Sequence, residues 1–196
     1  MSGYRNDLIV PYVSGKRVLD IGSVGQTSEY CLWNVLDDSA ACLVGVDLPD
    51  AMDAAEQEFK VSEAGSAHAE DKRIRHGNME SIDLGEKFEV VVAGDVLEHV
   101  SNQGLFLDNI RNHLVDGGKL VITTPSAKWP TVGLKPNATH VLWHDIYTLT
   151  TILDMHEFEI EYWQYYFGNK PHYSFWKIPL VYRQSLFVVA TVTRNR

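Results

Sequence analysis

The sequence predicts an α/β domain: a doubly wound, mainly parallel sheet of seven strands, with helices on both faces and an antiparallel strand pair at the C-terminal end. Three observations carry this reading. Short apolar, β-branched runs alternate with helical stretches as far as residue 125, the order that builds parallel sheets through right-handed crossovers. Three of those runs end at an acid, namely Asp20, Asp47 and Asp95. The last two runs have no convincing helix between them, which fits an antiparallel pair rather than another crossover.

The first strand is Arg17-Val18-Leu19-Asp20-Ile21, followed by a glycine-containing turn. Residues 28–36 have helical character, and Thr27 or Ser28 is placed to cap the free N–H groups. The second strand runs from Cys42 to Val46 and stops at Asp47. From residue 50 the chain is rich in Ala, Glu, Asp and Lys, which suits a helix to about residue 63 and then a polar loop around Gly65 and Ser66. A short third strand covers 73–76. Residues 88–93 are apolar at nearly every position, as in a strand covered on both faces.

Residues 101–115 place Leu107, Ile110 and Leu114 on one helical stripe, with Ser101 as cap and Gly117-Gly118 as stop. Residues 119–123 form the fifth strand. The stretch 125–139 holds three prolines, is too irregular for an element interior and reads as a lid. A helix over 145–155 and aromatic strands near 158–167 and 185–193 complete the chain.

At 196 residues the chain is sized for a single domain over 1–196 with a substantial core. With 45% hydrophobic and 22% charged residues it has the usage of an ordered protein. A net charge of −9 repels polyphosphates, so no nucleic-acid partner is expected. Lys128, Lys135, Lys170 and Lys177 could still make a local basic patch. Cys31 and Cys42 form no CxxC pair and read as buried free thiols. The N-terminal residues do not read as a signal peptide and no apolar run is of bilayer length, so a cytoplasmic location is expected.

Ligands of open α/β sheets lie beyond the strand carboxyl ends, where strand order reverses. The three strand-end acids therefore mark the expected site. In that context VLDIGSVGQ, LVGVDL, HGNMESIDLGEKFEVVVAGDVLEHV and LVDGGKLVITTP, in that order, resemble successive motifs of class I S-adenosylmethionine (SAM)-dependent methyltransferases, Rossmann-like enzymes. The resemblance covers roughly residues 17–125.

The resemblance implies SAM as cofactor. The turn from Gly22 through Ser23 to Gly25 would pass the methionine part, and Asp20 would orient that turn or reach the amino group through water. Asp47 would accept from both ribose hydroxyls. Leu48 would cover an adenine face, with Asn78 and Met79 beside the ring. Gly94, Asp95 and Val96 would lie near the transferable methyl. The chain departs from the family's acid-x-Gly-x-Gly-x-Gly turn by carrying Val24 and Gln26 at the second and third glycine positions.

His99 follows Glu98 at a helix start and reads either as a packed histidine or as a base facing substrate. His140 reads as a base or substrate contact, or as part of a capping cluster around Asp145. The spacing of His140, His144 and Asp145 invites a metal, but no third and fourth ligands are evident, so none is expected. The aromatic final third, including Trp163, Tyr165, Tyr166, Phe167, Tyr173, Phe175 and Trp176, supplies core together with a pocket wall, a dimer contact or a membrane-facing patch.

The expected activity is methyl transfer to a hydroxyl of a glycan or small metabolite, with a homodimer possible. Two other readings compete. A nicotinamide-dependent oxidoreductase would also use Asp47, but GSVGQT lacks the G-x-G-x-x-G spacing. A non-catalytic SAM-binding module is the other, motivated by the altered turn.

Overall fold

The computed structural model describes residues 4–24, 31–49, 73–129, 137–167 and 184–193. Seven strands form one sheet in the order β3-β2-β1-β4-β5-β7-β6. They are β1 (Arg17–Ile21), β2 (Cys42–Asp47), β3 (Ile74–His76), β4 (Phe88–Gly94), β5 (Leu114–Pro125), β6 (Phe158–Tyr166) and β7 (Ser185–Val192). The pairs among β1 to β5 are parallel, whereas β7 runs antiparallel to both β5 and β6. This is the doubly wound sheet with an antiparallel C-terminal pair that the element order predicts.

Neighbouring residues of the central strands enter opposite cores. Leu19, Val91 and Leu120 join one cluster, while Val18, Val90 and Val121 join the other. Strand alternation sends successive side chains to opposite faces, and helices cover both, so continuous apolar runs are what these strands require. Tyr166 likewise belongs to one cluster and Tyr165 packs against the other, with Trp163 against Tyr165 at 5.7 Å between centroids. Among the described residues no helix is long and apolar enough to cross a membrane.

The helices are α1 (Tyr4–Val13), α2 (Leu32–Ser39), α3 (Gln103–His113) and α4 (Ile146–Met155). Helix α1 was not expected, because Pro11 inside it masks the apolar stripe that buries Ile9 and Val13. For α2 the residue before the helix is Cys31, which makes no side-chain cap bond. Thr27, Ser28, the helix expected from residue 50, and Tyr173, Phe175 and Trp176 lie outside the described residues, as does most of the proposed lid.

Two boundaries differ from expectation. Asn102, not Ser101, caps α3 by accepting from the Leu105 N–H at 3.1 Å, while the Ser101 hydroxyl turns to Glu80. The glycine pair does not end the segment but sits inside β5. There Phe88 pairs with Leu114 and Val90 with Lys119, so 115–118 bulge out, with Gly117 at φ +70. Glycine takes that left-handed conformation without steric cost. Helix α4 begins as expected: Asp145 accepts from the Thr148 N–H at 2.9 Å in a capping box.

Cys31 is buried and Cys42 only half-buried; both are free thiols. The Arg17 guanidinium lies 3.7 Å from the Cys42 sulfur at the start of β2.

Candidate active site

Sheet register determines how the strand-end residues converge. Ile21 pairs with Val46 on one side and with Ala93 on the other. The residues immediately beyond, Gly22, Asp47 and Gly94, therefore emerge side by side where strand order reverses, between β1 and its two neighbours. They line a cavity of about 520 Å³, within the 300–1,000 Å³ typical of small-molecule sites.

Gly22 has φ +77, and a Cβ there would stand 2.7 Å from Val96 Cγ2. Both the backbone angle and the close approach require glycine. Asp47 accepts from the Val24 N–H at 2.7 Å and from the Leu48 N–H at 2.8 Å, one bond to each carboxylate oxygen. The carboxylate is thereby oriented, and each oxygen retains a lone pair toward the cavity. Burial raises its pKa above the ordinary carboxylate value, against the pull of the two backbone N–H groups.

Asp20 lies two residues before Gly22, within the central strand, and does not reach the cavity wall. It is fully buried, and neither carboxylate oxygen has a hydrogen-bond partner among the described residues. Burial, and secondarily the charge of Asp47, push its pKa to about 8. Ser23 also falls short of the wall; its hydroxyl donates to the Asp20 carbonyl at 2.9 Å and tightens the turn. Gly25 lies outside the described residues.

The raised pKa of Asp20 has a definite sign in stability. The folded protein keeps a proton that the unfolded chain releases near pH 4, so this contribution is complete below pH 4 and is lost as pH rises to about 8. Replacing Asp20→Asn should flatten that slope: the ligand-free variant outlasts the parent on heating at pH 8, and the two converge near pH 4. Parallel melting curves across that range would show that the carboxyl is not the source.

Leu48, Asn78 and Met79 also line the cavity, Met79 buried and Leu48 half exposed. Asn78 directs its side-chain carbonyl to the Glu80 N–H at 2.8 Å, so that oxygen is partly engaged in a local turn. Gly94, Asp95, Val96 and His99 also line the cavity, with Gly94 beside Gly22 across the sheet and Val96 against it. Asp95 has φ 56, an uncommon angle for a residue with a side chain, and its N–H donates to the Thr123 carbonyl. That strained turn aims the carboxylate into the cavity, where Arg5 of α1 meets it at 2.7 Å. Arg5 was not foreseen. Its only sequence signal was a cation in a segment whose helix is hidden by Pro11.

The short 3₁₀ turn Leu97–His99 carries Glu98 and His99. Glu98 is buried, accepts from the Thr124 hydroxyl at 3.0 Å, and has its pKa pushed to about 8 by burial and then by Asp95. The His140 ring stands edge-on to His99, with centroids 4.7 Å apart, although it does not itself line the cavity. Burial, and then His99, lower the His140 pKa below the ordinary imidazole value, against the opposing pull of Asp95. His144 and Asp145 go elsewhere. His144 Nε2 faces Gln103 Oε1 at 3.0 Å, and Asp145 caps α4 and pairs with Lys128 at 3.0 Å.

A doubly wound sheet closed by an antiparallel strand pair, with a carboxylate at the end of β2 and a glycine turn after β1, is the architecture of a domain that holds a nucleoside-bearing cofactor. A family model described as a methyltransferase domain matches residues 7–178. The chain belongs to this family, the class I SAM-dependent methyltransferases, and SAM is the cofactor that goes with it. The nicotinamide reading falls with that match.

A ubiquinone biosynthesis O-methyltransferase of Nitrobacter winogradskyi is 31% identical over 134 residues, covering 66% of this chain and 46% of that protein. One of Bradyrhizobium sp. is 32% identical over the same share of this chain and 48% of its own length. The chain thus spans about half the length of these relatives. Among solved structures, the N-methyltransferase NodS from Bradyrhizobium japonicum in complex with S-adenosylhomocysteine (SAH) has a TM-score of 0.63 at 16% identity, covering 96% of this chain and 85% of that one. Magnesium protoporphyrin IX methyltransferase from Synechocystis with bound SAM has a TM-score of 0.59 at 15% identity, covering 96% and 78%. At these identities the two structures share its fold.

The residues present fit SAM. A buried acid with two orphaned oxygens lies beneath the turn, Gly22 leaves room where a side chain would clash, and Asp47 offers two oriented acceptors.

Proposed function

We propose that this domain transfers a methyl group from SAM to a hydroxyl oxygen of a small metabolite or glycan. The observation that carries the reading is that Asp47, Gly22 and His99 line a single cavity, with the His140 ring against His99. Relatives named as O-methyltransferases favour an oxygen acceptor.

In this reading Asp47 holds the ribose hydroxyls, Leu48, Asn78 and Met79 frame the adenine, and Gly22 lets the backbone approach the methionine part. Asp20, beneath the turn, serves the amino group through water, and Arg5 is placed to meet the carboxylate end. Gly94, Asp95 and Val96 border the methyl. When bound, SAM supplies a methyl already activated by the sulfonium, so the protein chiefly aligns the acceptor and excludes water. An alcohol must also lose its proton, and His140 and His99 act on that proton, since a neutral imidazole is suited to it at working pH.

Calorimetric titration with SAH should show one site per chain. Incubation with SAM and hydroxyl-bearing acceptors should yield a product heavier by one methylene. His140→Ala should then lower transfer on the order of tenfold, less than the hundredfold or more of a sole general base, because His99 remains. Unchanged transfer in the variant lacking both rings would remove the histidines from the chemistry. SAH binding without transfer to any acceptor would favour a non-catalytic SAM-binding module.

A further inference from the structure

Glu98, His99 and His140 meet where His99 reaches the cavity wall, and we propose that they form a binding site for one divalent first-row transition cation, of which Zn²⁺ is the type. What the site does rests on the methyltransferase reading; whether it binds a cation does not.

One ligand atom from each of the three residues lies within 4.8 Å of the others, close enough for a single ion with ligand distances of about 2.0–2.2 Å to draw together. The backbone holds them there. Glu98 and His99 share the 3₁₀ turn, and the loop bearing His140 is tied to that turn by the Val141 N–H, which donates to the Glu98 carbonyl at 2.8 Å.

The outer contacts are those a ligating set needs. His99 Nδ1 lies 3.0 Å from the Thr139 carbonyl, which can only accept, so Nδ1 carries the proton and Nε2 presents its lone pair. The Thr124 hydroxyl orients one oxygen of Glu98 in the same manner. The Asn137 side-chain oxygen accepts from the Thr139 N–H and hydroxyl, so its amide nitrogen donates to His140 Nε2 at 3.2 Å; Nε2 therefore holds the lone pair a cation would take up, and Nδ1 carries the proton.

Charge argues the same way. Asp95 adds a further negative charge felt by both Glu98 and His140. Among the described residues no lysine or arginine pairs with Glu98. Two imidazoles and a carboxylate suit zinc, iron(II) or cobalt better than magnesium or calcium, which take oxygen ligands.

A set of three protein ligands also leaves coordination positions open. An acceptor hydroxyl would fill one and release its proton to water. Its oxygen would then form the new O–C bond as the C–S bond of SAM breaks and SAH leaves. The two rings would then act on the hydroxyl proton through the cation rather than by taking it up directly.

The test uses the whole chain, treated with a chelator and dialysed. Titration with Co²⁺ followed by visible absorption, and with Zn²⁺ by calorimetry, should each saturate at one ion per chain. His99→Ala and His140→Ala should each weaken binding by more than the roughly tenfold that loss of an outer-sphere partner costs. His156→Asn, at the distant pair with Asp108, should bind as the parent does. Lack of saturable binding in the parent, or undiminished binding in the variant lacking both His99 and His140, overturns the site. SAH titration of the chelated protein separates the two claims. SAH binding without Zn²⁺ binding sinks the cation site alone, whereas Zn²⁺ binding without SAH binding upholds the site and sinks the methyltransferase assignment.

Discussion

Replacing Asp47→Ala should weaken SAH binding about 10²–10³-fold while leaving the protein folded. A hydrogen bond to a charged group contributes roughly 1.5–3 kcal/mol, and two to the ribose diol amount to about 3–4 kcal/mol after partial replacement by water. The substitution also frees the Val24 and Leu48 N–H groups, which loosens the turn that Asp47 braces. Asp47→Asn, retaining one acceptor, should recover part of the loss. Calorimetry reads both, and circular dichroism checks the fold. An affinity within threefold of the parent in Asp47→Ala would mean that the nucleoside lies elsewhere.

Trp33→Ala should cost about 3–5 kcal/mol of folding stability, the range for emptying a large aromatic site in a core. Trp33 is 1% exposed on α2 and belongs to the same cluster as Val18, Leu43 and Val90. It also fills space against Gly45 of β2, where a Cβ would lie 2.7 Å from the indole and 2.5 Å from the Ser23 hydroxyl. The indole therefore supports the strand and the turn that present Asp47 and Gly22 to the cavity. Urea unfolding gives the stability directly, and SAH affinity should fall with it. A loss below 1 kcal/mol would show that the site collapses around the missing ring and that α2 is not the prop of the turn.

Much of the fold was legible because each strand is short, apolar and bounded. The runs at 17–21, 42–46 and 88–93 are long enough to cross a sheet and too short for helices, and glycine or acid ends each one. Helix edges were less legible, since Ser101 and Asn102 are both good caps and only the position of Glu80 decides between them. The bulge at 115–118 was hidden for a related reason: a glycine pair stops a helix and kinks a strand with equal ease.

The sequence by itself determined the alternation of strands and helices, the burial of both sheet faces and the acids near the strand ends, because these depend on local periodicity and composition. Tertiary structure decided which polar groups meet. It placed Asp20 under the turn instead of in the cavity, brought Arg5 across ninety residues to Asp95, and joined His140 to the Glu98–His99 turn while sending His144 to Gln103. Such contacts follow from sheet register and from how loops close, and neither leaves a period in the chain.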